Sequence, residues 1–116
     1  MCGGMFQVGR AELVAAVSEA GGLGTITSKS LGSPEKLREE ICKVKELTSK
    51  PFAVNLNLFP SMTHTPNEEF IEIMVEENIR IVETSGTSPK TIIRKLKKNN
   101  FIVLHKVPGV RYAISA

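Results

Sequence analysis

The chain has 116 residues, 41% hydrophobic and 23% charged, with a formal net charge of +3; this is the make-up of one folded domain rather than of a disordered or fibrous chain. No apolar run reaches the about eighteen residues of a membrane span, and no basic amino-terminal region precedes a long apolar stretch, so neither a membrane segment nor a secretion signal is expected and the default compartment is the cytoplasm. Much of the positive charge falls on Arg94, Lys95, Lys97 and Lys98, with no Trp and one Tyr to stack bases, so it reads as a solvated helix face and no nucleic-acid partner is expected.

Taken in order, Gly3-Gly4-Met5 reads as the tail of a short first strand and a tight turn. From Arg10 to Ala20 the apolar Leu13, Val14, Val17 and Ala20 recur at helical spacing, and Gly21 stands where a helix end favours a left-handed residue. Leu23 to Thr27 is short, partly β-branched and bounded by glycine, as a buried strand is. Gly21-Gly22-Leu23-Gly24 closes a helix and opens a strand, the reverse of a nucleotide-binding glycine motif, so it reads as a helix cap with close backbone approach. Ser33-Pro34 opens the next helix: the serine caps free N–H groups and proline gives up an N–H that has no partner there. Leu37, Ile41, Val44 and Leu47 mark its apolar face, while Lys36, Glu39, Glu40, Lys43 and Lys45 are expected to face water. Cys42, on the same helix, is expected to be buried.

Phe52 to Leu56 reads as strand. Thr65-Pro66-Asn67-Glu68 has the spacing of a capping box, followed by the stripe Phe70, Ile71, Met74 and Val75. Ile79 to Thr84 is strand, Ser88-Pro89 begins a helix with Ile92, Ile93 and Leu96, and Phe101 to His105 is the last strand. Helices and strands alternate without a hairpin signal, which means parallel strands joined by crossover helices. The fold class is α/β, with five strands, four complete helices and a fifth crossover beginning at Val110. Either a small open doubly wound sheet or the first five βα units of a (β/α)8 TIM barrel, about 250 residues when whole, accommodates this order.

In both architectures ligands bind at the carboxyl ends of parallel strands. The residues there are Gly3, Gly4 and Met5; Thr27 and Ser28; Asn55 and Asn57; Thr84, Ser85 and Gly86; and His105 and Lys106. Apart from Glu83 the set lacks carboxylates and suits a neutral or anionic polar ligand. Two cysteines and two histidines show no metal-ligand spacing, so no metal site is expected. Asn55, inside an apolar strand, needs a partner, which either a ligand or a neighbouring backbone group would supply. His64 lies in a polar loop and is expected to be solvated there. His105 is either a site residue or a satisfied core histidine.

Gly3-Gly4-Met5, Arg10 to Gly24 (Arg-Ala-Glu-Leu-Val-Ala-Ala-Val-Ser-Glu-Ala-Gly-Gly-Leu-Gly), Lys45 to Leu56 (Lys-Glu-Leu-Thr-Ser-Lys-Pro-Phe-Ala-Val-Asn-Leu), Val82 to Gly86 and Leu104 to Pro108 resemble, in the same order, segments of the nitronate monooxygenase family, formerly called 2-nitropropane dioxygenases. The likeness covers essentially the whole chain. It implies a TIM barrel holding FMN non-covalently, with Gly3, Gly4, Met5, Asn55, Thr84, Ser85, Gly86, His105 and Lys106 as cofactor-binding residues. The implied reaction is oxidation of an alkyl nitronate by dioxygen to a carbonyl compound and nitrite.

Before Gly-Gly-Met the family has a few more first-strand residues than this chain. Its catalytic histidine, in a Glu-Ala-Gly-Gly-His-like segment, and its glycine-rich FMN-phosphate loops have no counterpart among these residues, so no catalytic residue is assigned. The expectation is therefore the N-terminal part of a flavoenzyme, with little activity and weak FMN retention alone, whose exposed sheet edges favour self-association. A flavin-dependent enoyl-carrier-protein reductase shares the Gly-Gly-Met and Ala-Gly-Gly-Leu-Gly features and is the alternative within the resemblance. Two others stand outside it: a non-catalytic α/β binding domain with its ligand near Asn55 and Ser85, and a structural remnant that pairs with another chain.

Overall fold

A computed structural model describes residues 1–60, 65–88 and 90–115. The elements are α1 (Ala11–Glu19), β1 (Gly24–Thr27), a 3-10 turn (Ser28–Ser30), α2 (Pro34–Leu47), β2 (Phe52–Asn57), α3 (Asn67–Glu76), β3 (Ile81–Ser85), α4 (Lys90–Lys98), β4 (Ile102–Lys106) and α5 (Val110–Ser115). All strand pairs are parallel, and the sheet order is β1-β2-β3-β4. Among the described residues no helix is long and apolar enough to cross a membrane.

Side chains alternate across a strand, and the two faces of this sheet differ in kind. Ile26, Val54, Leu56 and Val82 share one buried core with Val14 of α1, Leu37, Ile41 and Val44 of α2, Phe70, Ile71 and Met74 of α3, and Ile92 and Leu96 of α4. The alternate positions Thr25, Asn55 and Glu83 are buried but lie outside that core. A doubly wound sheet reverses its strand order at a switch point and covers both faces with helices. Here each strand neighbours its sequence successor and the helices cover one face, which is the geometry of a barrel arc.

The first-strand expectation is not met. Residues 1–5 form no strand, and four strands rather than five are found among the described residues. Beside β1 the residues before the glycine turn contribute one ladder-like bond, from Cys2 N–H to the Leu23 carbonyl at 2.9 Å. The segment instead crosses the carboxyl ends of the strands, with Thr27 N–H donating to the Gly9 carbonyl at 3.2 Å. Strands β3 and β4 end one residue later than the sequence reading placed them, so Ser85 and Lys106 belong to the ladder.

Gly21 has φ +84°, the left-handed cap expected of it. A β-carbon on Gly24 would collide with the Val14 carbonyl, so the close approach of α1 to β1 requires glycine. Ser33 caps α2, accepting from Lys36 N–H at 3.4 Å. The capping box at α3 does not form: Pro66 occupies the N-cap with no side-chain bond, and Glu68 pairs with Lys95 at 3.3 Å. The Ser88-Pro89 start falls partly on Pro89, and the loop histidine on His64; both lie outside the described residues.

Three expectations for α2 are corrected. Leu47 is exposed because it is the last helical residue, and Cys42 is exposed because it sits one step round from the Ile41 stripe. Glu40 is buried rather than solvated. Its Oε1 accepts from Arg10 Nε at 2.9 Å and from Ala11 N–H at 2.7 Å, and its Oε2 accepts from Arg10 Nη2 at 3.2 Å. Arg10, the N-cap of α1, offers that helix no side-chain cap; Glu40 supplies it from α2 and joins the two helices. Burial pushes the Glu40 carboxyl up, but the Arg10 and Ala11 hydrogen bonds and the charges of Arg10 and Lys43 outweigh it and hold the carboxyl below its ordinary range.

Candidate functional site

The strand register brings the site together. Thr27 pairs with Asn55, Asn55 with Glu83, and Glu83 with Leu104, so Asn55 and Glu83 are neighbours on the face away from the helices. Ser85 and Lys106 pair one step further on the same face. Gly3-Gly4 lies across this row. Gly4 N–H donates to Glu83 Oε2 at 2.8 Å, and Asn55 Nδ2 donates to the same oxygen at 3.0 Å and to Ser85 Oγ at 3.3 Å.

The glycines are there because of contact. A β-carbon on Gly4 would stand 2.7 Å from Asn55 Cβ, and one on Gly3 would stand 3.2 Å from Glu83 Oε1. The Met5 carbonyl anchors the turn, accepting from Val8 N–H, from Gly9 N–H and from Thr27 Oγ1, and leaves the Met5 side chain exposed. The Asn55 amide nitrogen thus finds its partners in a carboxylate and a hydroxyl rather than in a backbone group. Its own carbonyl accepts from Ser28 Oγ at 2.7 Å.

Glu83 is the group that the sequence reading left without a role. It is wholly buried, its Oε1 has no hydrogen-bond partner among the described residues, and Lys106 Nζ stands 3.6 Å from that oxygen. The available signal was a carboxylate inside the apolar run Ile81-Val82-Glu83, in step with the amide of Asn55 one strand earlier.

Thr84 and His105 point the other way. They pair across β3 and β4 on the helix-side face, with Thr84 Oγ1 2.9 Å from His105 Nδ1, and Thr84 is fully buried. His105 nevertheless reaches a cavity of about 790 Å³ beyond the strand ends, which Ser85, Gly86, Lys106, Lys90 and Phe59 also line. Its size suits a drug-sized or cofactor-sized ligand. Gly86 turns the chain at φ +111° under Phe59. Of the nine predicted residues, Gly3, Gly4, Asn55, Ser85 and Lys106 gather around Glu83, Met5 flanks them, Gly86 and His105 line the cavity, and Thr84 stands behind His105.

An arc of parallel strands with a glycine turn across its carboxyl ends is where a barrel places its ligand, and the nitronate monooxygenase family model matches residues 1–111. The chain belongs to the nitronate monooxygenase family. That family is one of flavin-dependent oxidoreductases. Over 110 residues the chain is 30% identical to a (3aS,4S,5R,7aS)-5-hydroxy-7a-methyl-1-oxo-octahydro-1H-indene-4-carboxyl-CoA dehydrogenase of Mycobacterium tuberculosis, covering 95% of this chain and 30% of that protein. Over 59 residues it is 51% identical to a probable nitronate monooxygenase of Staphylococcus haemolyticus, covering 51% of this chain and 16% of that protein. The structure of FabK from Thermotoga maritima superposes with a TM-score of 0.79 at 36% identity, over 91% of this chain and 32% of that one. FabK is a TIM-barrel enzyme, which agrees with the arc. The chain therefore spans about a third of the length of relatives that it matches from end to end.

Proposed function

We propose that this chain forms the flavin-facing part of an FMN-dependent nitronate monooxygenase acting on alkyl nitronates. The observation that carries the reading is the Gly3-Gly4 turn seated on Asn55 and Glu83 at the strand ends, beside a cofactor-sized cavity. Lacking β-carbons, Gly3 and Gly4 seat the turn directly on Glu83 and Asn55, so that its other side is bare backbone against which a flat ring can lie. The residues fit FMN: Gly3, Gly4 and Met5 offer that surface, Asn55, Ser85 and Lys106 offer polar contacts beside it, and Gly86 and His105, with Ser85 and Lys106, line the adjoining cavity. Thr84 fixes the ring of His105. When bound, FMN supplies the redox chemistry for nitronate oxidation by dioxygen. Lys106 brings a positive charge to the cavity wall, which suits an anionic nitronate. The family's Glu-Ala-Gly-Gly-His-like segment has no counterpart within these residues, so the 116-residue chain alone binds FMN weakly and turns over little substrate.

The test is FMN titration of the purified chain, followed by flavin fluorescence, with nitrite release from an alkyl nitronate measured in parallel. Weak, saturable binding that Gly4→Val abolishes, with nitrite release far below that of a complete family member, is the expected result. Absence of any FMN binding would overturn the flavin reading, and a yellow monomer releasing nitrite efficiently would overturn the reading of the chain as a part. The 36% identity to FabK favours one second reading, a flavin-dependent enoyl-carrier-protein reductase. NADPH consumption without nitrite release, by a protein carrying this segment within a whole barrel, would select it.

A further inference from the structure

We infer that Glu83 is the positioning residue of this site, fixing the glycine turn, the sense of the Asn55 amide and the place of the Lys106 ammonium at once. This rests on the reading that Gly3 to Met5 and Asn55 face a bound flavin. A carboxamide nitrogen has two hydrogens. Both of those on Asn55 are committed, one to Glu83 Oε2 at 3.0 Å and one to Ser85 Oγ at 3.3 Å. Asn55 can therefore meet a ligand only as an acceptor, through Oδ1. The same Glu83 oxygen accepts from Gly4 N–H, so one carboxylate oxygen ties the turn to the amide.

The other oxygen serves Lys106. Oε1 is buried and without a hydrogen bond among the described residues, and a β-carbon on Gly3 would lie 3.2 Å from it, so the glycine turn screens it from a ligand. Lys106 Nζ, on a side chain that is 55% exposed, is the cation facing it at 3.6 Å. Glu83 thereby sets an acceptor on β2 and a donor on β4, a pair complementary to a ligand that presents an N–H beside a carbonyl, as the imide edge of a flavin does. Glutamine at this position could still accept from Gly4 and Asn55 but would turn an NH2 group toward Lys106. Aspartate would keep the charge while withdrawing it by one methylene.

The experiment uses the full chain, labelled with nitrogen-15, and reads hydrogen exchange at the Gly4 amide and the Asn55 carboxamide by NMR. Val54, in the strand core, reports global stability. In the natural chain Gly4 and Asn55 should exchange at least about tenfold more slowly than the neighbouring Phe6 amide, as hydrogen-bonded groups do. Glu83→Gln should keep that protection while freeing the Lys106 side chain, seen as a shift of its Nζ resonance. Glu83→Asp should speed exchange at Gly4 and Asn55 by about tenfold or more relative to Val54. A merely structural role would move all three sites together. Equal loss at Val54, unprotected Gly4 in the natural chain, or no change in Glu83→Asp would each overturn the inference. Titration with FMN separates the two claims. If the exchange pattern is as expected but millimolar FMN moves neither the Gly4 nor the Asn55 resonance, the positioning role stands and the flavin reading fails.

Discussion

A β-carbon on Gly4 would meet Asn55 Cβ at 2.7 Å, Asn55 Cγ at 2.9 Å and Glu83 Oε2 at 3.1 Å. Asn55 is pinned by two hydrogen bonds and cannot give way, so Gly4→Ala must lift the turn and break the bond to Glu83. The expected cost is about 1–3 kcal/mol, as for overpacking at a tight site, read as a fall in the urea midpoint at unchanged slope. Glu40 makes a second residue-scale prediction. Its carboxyl is held below the ordinary range when folded, so it contributes stability that is present at neutral pH. That contribution is lost as pH falls from the ordinary glutamate pKa through the lowered folded value. Glu40→Gln should flatten the fall in stability between about pH 5 and pH 2, measured by urea unfolding across that range. A fall as steep as in the natural chain would show that Glu40 carries none of it.

At the scale of elements, helix starts separate what local chemistry secures from what it only suggests. Ser33 has the cap bond that its place before Pro34 predicts, so Ser33→Ala should cost about 0.5–1 kcal/mol, the low end because the bond is long. Thr65→Ala should change the urea midpoint by less than about 0.5 kcal/mol equivalent, since α3 starts after Pro66 without a side-chain cap. A loss at Thr65 equal to that at Ser33 would contradict this. Helix periods and strand runs were legible because burial of one face imprints a 3.6- or 2-residue rhythm. Leu37, Ile41 and Val44, or Phe70, Ile71 and Met74, follow it closely. Leu47 and Cys42 were misread because apolar character does not say whether anything lies opposite that point of the helix. Glu40 was misread because its partner, Arg10, is 30 residues away.

For the molecule as a whole, β1 and β4 are the two edges of the sheet among the described residues; the amino-terminal segment bonds along the β1 side at Leu23 and Thr27, which leaves β4 the barer edge. Ile102 on that strand is 58% exposed, and Val110 and Ile114 of α5 are more so. Unpaired strand edges with apolar side chains template association, so the isolated chain should self-associate in the micromolar range by sedimentation velocity, and Ile102→Lys should shift it to monomer. A chain that stays monomeric at high concentration would sink this. By itself the sequence determined the alternation of helices and strands, the left-handed cap at Gly21, the Ser33 start and the candidate row at the strand ends. Each of these follows from short-range sterics, hydrogen bonding or periodic burial. Only the tertiary structure decided that the sheet is a one-sided arc and that Thr84 and His105 share its helix-covered face. It also decided that Gly4 and Glu83, 79 residues apart, meet in one hydrogen bond. Register is the physical reason: a residue's face and its cross-strand partner depend on how strands pair, and pairing is a property of the folded sheet rather than of any one segment.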